Sequence, residues 1–470
     1  MTSTQPTEAE SPLDALPGQW RSIREAGPVT YDEAQDQWRV VDHRGVSAVL
    51  ADPGAYSSGP TPIAPTQQDF ETFRQGGFAG MDPPEHRTLR ALVSQAFTPG
   101  VVPGPEPRIE AVCARLLDGV ADRDRFDLAD TLAHSLPITV IAELPGVPAD
   151  DPRLFQERAS PLFGGDQLGD GLGTADLERA LEATAPTVRE TNGYALDRIR
   201  HRRAHPGGDL TSRPLTAEVD GTRPADEEIA GWVALLLVAG HITTTALLGD
   251  AVVTFDRHPG TLAALRENPG RLPDAVEEVP RLLPPFPERG RRTTRPVVLG
   301  GVSKVPHSAR GTRHAPPSSR LRSSREVPPS PHRPKAQVRP VRGLSSGTPR
   351  ARTEHRGHRT GLSKHPLGGH EIPADTLLMV HLSAADRDPS RFTDPDVFDV
   401  ARGPNPHPTF GHGIHFCFGA PLARLEARIT PHMQMERFPA FAVPSYDDVA
   451  YQNPAVIVGV RHLPTVATRP

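Results

Sequence analysis

The sequence is poor in cysteine and in aromatic residues: it has two cysteines, Cys113 and Cys417, in 470 residues, and 5% aromatics. Two cysteines this far apart exclude the disulfide framework of a small secreted protein. No run of about 20 purely apolar residues occurs, which predicts that no segment spans a membrane. The first 20 residues are polar and acidic and lack the apolar core of a signal sequence. We therefore expect a cytoplasmic protein.

The net charge of -5 is distributed unevenly along the chain. Residues 302–369 hold 15 Lys and Arg against two acids, so the rest of the chain has 37 basic and 55 acidic residues. The same segment contains ten prolines and almost no periodic apolar residues. Such a composition buries too little surface to offset chain entropy. We expect a disordered insertion, with a nucleic-acid-binding arm as the alternative.

The insertion interrupts a strand pattern. "VVLGG" ends at Gly301 and "HEIPAD" resumes at His370, and "LGG" occurs at both junctions. This arrangement predicts that the segment was added at the tip of a β-hairpin, where insertions are tolerated. We expect a disordered N-terminus over residues 1–19 and one folded domain made of residues 20–301 and 370–465.

Helical patterns dominate outside the insertion. The stretch "ADEEIAGWVALLLVAGHITTTALLGDAVVTF" predicts one long helix that is apolar on every side in its middle and therefore runs through the centre of a large domain. Pro84 and Glu85 are typical of a helix start. Residues 20–58 predict helix, hairpin and helix, and the last 30 residues predict short strands. The expected fold class is mainly α with minor β.

The two cysteines lie in different settings. Cys113 belongs to the amphipathic pattern "IEAVCARLLDGV", which indicates core packing, whereas Cys417 lies in the loop "FGHGIHFCFG" just before a helix that begins near Ala420. Glycines permit positive φ and close approach to a flat ligand. A helix N-terminus stabilises a thiolate. Three phenylalanines are placed to exclude water: Phe410, Phe416 and Phe418.

This loop suits a thiolate that ligates one iron, but two other interpretations stay open. His412, His415 and Cys417 are possible zinc ligands, although zinc usually takes four ligands and the chain has no second cysteine pair. The second alternative is that the loop is a structural element that binds no metal.

The loop, followed by "APLAR", resembles the haem-binding signature of cytochrome P450 monooxygenases, Phe-x-x-Gly-x-His/Arg-x-Cys-x-Gly. Other motifs occur in the family's order: "HRTLR", "AGHITT" and "EEVPR". The likeness covers about 20–301 and 370–465 and is to soluble bacterial members of actinobacterial type. It implies the P450 fold, with haem buried between the long central helix and the helix of the cysteine loop.

The resemblance also implies residue roles. Cys417 matches the axial thiolate of haem b iron. Four cationic residues match partners of the haem propionates: His86, Arg90, Arg291 and His415. Four further residues match the signature of the haem-binding loop: Phe410, Gly411, Gly413 and Gly419. Glu278 and Arg281 match a structural ion pair that supports the cysteine loop.

The central helix carries the residues implied in oxygen activation. Ala239 and Gly240 mark where this helix is expected to open over the iron, and Thr243 matches the threonine that steers protons to dioxygen. An acid usually precedes that threonine, but this chain has Ile242. Proton delivery would then rely on water, on the substrate's hydroxyl groups or on another acid.

Three prolines also depart from the family pattern: Pro214, Pro280 and Pro431. A proline inside a helix removes a hydrogen bond and costs about 3 kcal/mol. We therefore expect these positions to weaken the fold.

The predicted function is insertion of one oxygen atom from O2 into a small hydrophobic substrate. The resemblance implies electrons from NAD(P)H through a ferredoxin and its reductase, and a role in tailoring a secondary metabolite such as a macrolide or other polyketide. Nucleic-acid and membrane partners are not expected. Two alternatives stay open. One is a haem-binding protein that is catalytically silent or the product of a decaying gene, and the other is an oxygenase driven by peroxide.

Overall fold

The computed structural model describes most of the chain outside the basic insertion. The described residues are 11–59, 71–96, 104–143, 174–205, 215, 218, 223–300 and 369–469. The expectations for residues 1–10, for Pro214 and for the insertion as far as residue 368 lie outside these ranges.

Helices form the larger part of the described fold, as predicted. They are α1 (Pro12–Glu25), α2 (His43–Ala51), α3 (Glu71–Gly76), α4 (Glu85–Ala96), α5 (Glu106–Asp118), α6 (Ser135–Glu143), α7 (Thr174–Ala204), α8 (Asp226–Arg257), α9 (Pro259–Glu267), α10 (Leu272–Leu282), α11 (Leu382–Ala385) and α12 (Ala420–Arg437). A π-helical turn over Ala129–His134 leads into α6.

The strands form small sheets. They are β1 (Val29–Asp32), β2 (Gln37–Val40), β3 (Tyr56–Ser57), β4 (Arg125–Asp127), β5 (Glu288–Thr293), β6 (Val297–Leu299), β7 (His370–Ile372), β8 (Leu377–His381), β9 (Phe441–Ala442), β10 (Ala450–Tyr451), β11 (Val460–His462) and β12 (Pro464–Ala467). The largest sheet has the order β1-β2-β8-β5-β3, in which only β2 and β8 run parallel. The others have the orders β4-β12-β9, β10-β11 and β6-β7.

Helix α8 is the single long helix predicted at the centre of the domain. Acidic residues fill its first turn, Asp226 to Glu228, where they face the positive end of the helix dipole. The helix is long and apolar enough to pass for a membrane span, but 67% of its most apolar window is buried inside the protein. This burial agrees with the predicted position of the helix in the centre of the domain.

The N-terminal boundary predicted at residue 19 is too late. Helix α1 begins at Pro12, and Leu13, Leu16 and Trp20 are buried in the main core. Asp14 in its first turn accepts a hydrogen bond of 2.6 Å from Arg257 at the end of α8. The apolar face of α1 and this ion pair hold the segment on the domain, so residues 12–19 belong to the folded part.

Two of the prolines lie inside continuous helices. Pro280 is in α10 and Pro431 is in α12, and both side chains are buried. Neither proline ends its helix, and the expected weakening of the fold stays a prediction.

The strands on either side of the insertion pair directly with each other. In the antiparallel β6–β7 ladder, Leu299 lies opposite His370, and Gly300 has a φ of 78°. The chain therefore leaves and re-enters the fold at neighbouring points. The disorder of the insertion stays a prediction.

Candidate active site

The loop before α12 is held in shape by its own backbone. The Cys417 amide donates to the Phe410 carbonyl at 2.7 Å. Gly411 and Gly413 have φ values of 78° and 68°, and a Cβ on Gly413 would lie 2.8 Å from the Leu50 carbonyl oxygen of α2. These two positions therefore require glycine. Gly419 has a φ of -81° with open space around it, so the conformation makes no such demand there.

The Cys417 thiol is accessible to solvent although protein atoms surround it closely. Burial raises its pKa, while the amides of Gly419 and Ala420 and the guanidinium groups of Arg90 and Arg289 act in the opposite direction. The predicted stabilisation by the helix start is thus present, but burial outweighs it. A positive ion at the sulfur would reverse that balance.

Cys113 has the structural role that its pattern predicts. Its side chain is fully buried in the main core, and burial raises its pKa to about 12. A thiol with this pKa is neither a nucleophile nor a metal ligand at neutral pH.

Two predicted propionate partners lie side by side. The rings of His86 and His415 are 4.4 Å apart, and the Nε2 atom of each is buried without a hydrogen-bond partner in the described structure. Burial lowers the pKa of both histidines, to about 4 for His415. Both rings are therefore neutral at pH 7, and each has an unused polar atom that a buried carboxylate could engage.

Two arginines complete the predicted set. Arg90 donates to the Phe416 carbonyl at 2.7 Å, and Arg291 donates to the Gly290 carbonyl at 2.8 Å. Within the described ranges, neither has a carboxylate at ion-pair distance. The neighbouring Arg292 instead pairs with Asp375.

Arg289 belongs to this cationic group and was missed in the sequence. It lies two residues before Arg291 on β5, and its charge acts on both Arg291 and Cys417. Successive side chains of a strand point to opposite faces, so residues two apart share a face. The alternation in "ERGRRT" was the signal available in the sequence.

The oxygen-activation segment differs from expectation in one respect. Helix α8 is continuous through Ala239 and Gly240, so the predicted opening is absent. The Thr243 hydroxyl donates to the Ala239 carbonyl at 2.6 Å. Gly240 packs so closely that a Cβ there would lie 2.8 Å from the Ile141 side chain. In this conformation the hydroxyl hydrogen of Thr243 is therefore used in a hydrogen bond to the helix backbone.

The predicted ion pair between Glu278 and Arg281 is fully buried and bidentate, at 2.7 and 2.8 Å. Arg402 and Asn405, which the sequence analysis missed, also donate to Glu278, at 2.9 and 3.0 Å. Arg402 is 124 residues from Glu278, and no local spacing links them. Further donors of Arg281 bond the carbonyls of Asp386, Pro395 and Val397.

The zinc alternative finds no support in the described residues. There, the only His, Cys, Asp and Glu side chains close enough to share an ion are Asp127, Asp130 and His462, far from the cysteine loop in sequence. His412 is exposed, and so is Phe416, which therefore does not exclude water as expected.

Comparisons with known proteins agree with this architecture. The sequence model of the family Cytochrome P450 matches residues 356–459, which include the cysteine loop. Erythromycin C-12 hydroxylase of Saccharopolyspora erythraea is 35% identical, over 95% of this chain and 93% of that protein. Cyclomarin C epoxidase CymV of Salinispora arenicola is 32% identical, over 93% and 92%.

Solved structures give the same result. The open form of cytochrome P450 EryK from S. erythraea has a TM-score of 0.72 at 35% identity and covers 97% of this chain and 96% of its own. Substrate-free CYP109E1 from Bacillus megaterium has a TM-score of 0.76 at 26% identity and covers 98% and 100%.

The chain belongs to the cytochrome P450 family. It is a monooxygenase and hence an oxidoreductase, and its family uses a haem-thiolate iron cofactor. Its bacterial relatives use O2 and a redox partner to hydroxylate organic substrates. The predicted fold class is confirmed.

Proposed function

We propose that Cys417 is the axial ligand of haem b and that His86, Arg90, Arg291 and His415 bind its two propionates. The observation that supports this assignment is the set of unused polar groups around Cys417: two buried histidine nitrogens and arginines without a carboxylate partner. Such groups are unfavourable without a ligand, and a buried pair of carboxylates would satisfy them. The residues present therefore fit the group.

When bound, the haem supplies the redox chemistry that transfers one oxygen atom from O2 to the substrate. The protein's part is to shape the site and to deliver protons. We assign Thr243 Oγ to proton transfer, with Ala239 and Gly240 providing the adjoining surface of α8. Because Thr243 donates to the Ala239 carbonyl, that hydrogen bond has to rotate away before its hydroxyl can donate elsewhere.

For the substrate we propose a secondary metabolite of macrolide or other polyketide type. The support is the similarity to Erythromycin C-12 hydroxylase and, at 33% identity, to Cytochrome P450 monooxygenase PikC of Streptomyces venezuelae. A ferredoxin and an NAD(P)H-dependent reductase are the proposed electron source, and the cytoplasm is the proposed location. The hydroxylases and epoxidases among the relatives do not favour an inactive protein or a peroxide-driven enzyme.

The decisive test is the spectrum of the reduced protein under carbon monoxide. We expect the red-shifted Soret band of thiolate ligation, its loss in Cys417→Ser and its retention in Cys113→Ser. Retention of the red-shifted Soret band in Cys417→Ser would disprove the assignment of Cys417 as the iron ligand. Turnover of macrolide substrates with ferredoxin and reductase, compared with peroxide alone, then tests the electron source.

A further inference from the structure

Arg289 lies at the edge of the proposed haem site but is not one of the four proposed propionate partners. It is the second residue of β5, opposite Val380 of β8, and it shares a strand face with Arg291. Its guanidinium carbon lies 3.5 Å from the centroid of the Phe286 ring. Stacking of this kind fixes the plane of a guanidinium group and leaves its edge free for hydrogen bonds.

The positive charge of Arg289 is enclosed but not neutralised. Throughout the described chain, no carboxylate lies at ion-pair distance from it and no backbone carbonyl accepts from it. The adjacent Glu288 carboxylate lies 3.3 Å from His381 and not at ion-pair distance from Arg289, although the charges of Glu288 and Cys417 act to raise the pKa of Arg289. Protein atoms surround the side chain closely enough to lower its pKa to about 10, and the like charge of Arg291 acts in the same direction.

The nearby arginines differ from Arg289 in one respect. Arg90 and Arg291 each donate one hydrogen bond to a backbone carbonyl, whereas all donors of Arg289 are unused. A buried cation without an acceptor is unfavourable, and a guanidinium edge matches the two oxygens of a carboxylate. The site also has four proposed partners for only two propionates before Arg289 is counted.

We propose that Arg289 is an additional carboxylate-binding residue of this site. The carboxylate comes either from a haem propionate or from an acidic group of the substrate, and the inference rests on the proposed function. Two experiments on the haem-loaded protein separate these sources. Both compare wild type with Arg289→Gln, and both use Arg295→Gln as the control, because Arg295 is 65% exposed and lies 3.8 Å from Asp52.

The first experiment measures the rate at which ferric haem transfers to apomyoglobin. If Arg289 binds a propionate, Arg289→Gln should lose haem about tenfold faster or more, the range expected for one charge-assisted hydrogen bond. The same comparison with haem dimethyl ester, which has no carboxylates, should show no difference. Arg295→Gln should behave as wild type with both haems.

The second experiment titrates the ferric protein with ω-imidazolyl undecanoic acid and with its methyl ester. The imidazole binds the iron and shifts the Soret band, so the flexible chain presents its acid group to the surrounding cations. If Arg289 binds a substrate acid, wild type should prefer the acid, and Arg289→Gln should lose about tenfold in affinity for the acid and none for the ester.

A difference between wild type and Arg289→Gln in the first experiment identifies a haem propionate as the carboxylate that Arg289 binds. A difference in the second experiment identifies an acidic group of the substrate. No dependence on Arg289 in either experiment overturns the proposal. If Arg289→Gln does not fold, Arg289→Lys keeps the charge without the planar edge and should show the same losses in part. The carbon monoxide spectrum is recorded for every variant, so a failure of thiolate ligation is distinguished from a failure at Arg289.

Discussion

Two clusters of polar and charged side chains, one around Glu278 and one around Cys417, are organised in opposite ways. Around Glu278, the carboxylate accepts from Arg281, Arg402 and Asn405, and the remaining Arg281 donors reach backbone carbonyls. Around Cys417, the histidines and arginines have polar atoms without a carboxylate partner among the described residues. The first cluster is complete within the described residues, whereas the second has polar atoms that no described residue satisfies, as expected if it binds a ligand.

The difference separates a structural role from a binding role. Buried charges are tolerated when hydrogen bonds satisfy them and are costly when they stand alone. The chain therefore gives up stability around Cys417 in the absence of a ligand. A ligand that binds only the folded state returns that stability in proportion to its affinity and concentration.

The largest expected effect comes from breaking the complete cluster. Glu278→Gln leaves two buried arginines without their anion, and we expect a loss of about 3–5 kcal/mol in the free energy of unfolding. Urea unfolding of the haem-free protein measures it. Asp197→Asn is the control, since Asp197 and its partner Arg200 are 77% and 66% exposed and such pairs contribute about 0–1 kcal/mol. Equal losses in the two variants would refute the structural role.

The incomplete cluster should respond in the opposite way. Arg291→Gln removes a half-buried positive charge that has no anion among the described residues, so the haem-free protein should be unchanged or slightly more stable in urea. Haem binding should weaken by about 1.5–3 kcal/mol, the value of a hydrogen bond to a charged group. Competition with apomyoglobin measures the haem affinity. If the haem-free Arg291→Gln variant loses as much stability in urea as Glu278→Gln, then Arg291 has a structural role and the two clusters do not differ in function.

Asp250 is a third case, because it is a buried acid that belongs to neither cluster and has no hydrogen-bond partner among the described residues. Its side chain is fully buried in α8, both carboxylate oxygens lack partners, and burial raises its pKa well above 3.8. The folded protein therefore holds a proton that the unfolded chain releases above pH 3.8, so this residue reduces stability as the pH rises.

Asp250→Asn should remove that pH dependence. We expect the variant to be close to wild type near pH 4 and to exceed it at higher pH, by about 1.4 kcal/mol for each pH unit between the pKa of Asp250 in the unfolded chain and its raised pKa in the fold. Urea unfolding at pH 4 and at pH 8 measures the difference. A difference between Asp250→Asn and wild type that does not grow with pH over this interval would show that Asp250 finds a partner.

A smaller effect is expected at the oxygen-activation segment. Since Ile242 replaces the usual acid, Thr243→Ala should cost most with substrates that lack a well-placed hydroxyl group. Ile242→Glu should raise the fraction of electrons that enter product by about twofold for those substrates, a modest gain from one proton donor. Product formed per NADPH consumed measures this fraction. Equal coupling in wild type and both variants across the two kinds of substrate would rule the idea out.

Deleting residues 302–369 should have the smallest effect. The strands at its two ends already pair through Leu299 and His370, and loop closure depends only weakly on length. We expect haem binding to be kept and the stability to change by less than about 1 kcal/mol. We also predict that limited proteolysis cuts within 302–369 first and leaves the haem spectrum intact. Loss of haem on deletion would show that the segment is an integral part of the domain.

Local patterns accounted for the elements that their own residues specify. The apolar run of α8, the start of α4 at Glu85 and the helix after Cys417 depend on neighbours within a few turns. Predictions from local patterns failed where contacts between distant segments determine the structure. Helix α1 begins earlier than expected, and its apolar side chains are buried in the main core.

By itself, the sequence determined the family and the cysteine that lies in the core, and it predicted Cys417 as the iron ligand. These follow from motifs whose residues are adjacent or a few positions apart. Only the tertiary structure decided which charges are satisfied. Whether Glu278 meets Arg402, or Arg289 meets no anion, depends on distances between segments far apart in the chain. The strength of a charge interaction follows those distances and the local burial, and neither quantity is encoded in spacing along the sequence.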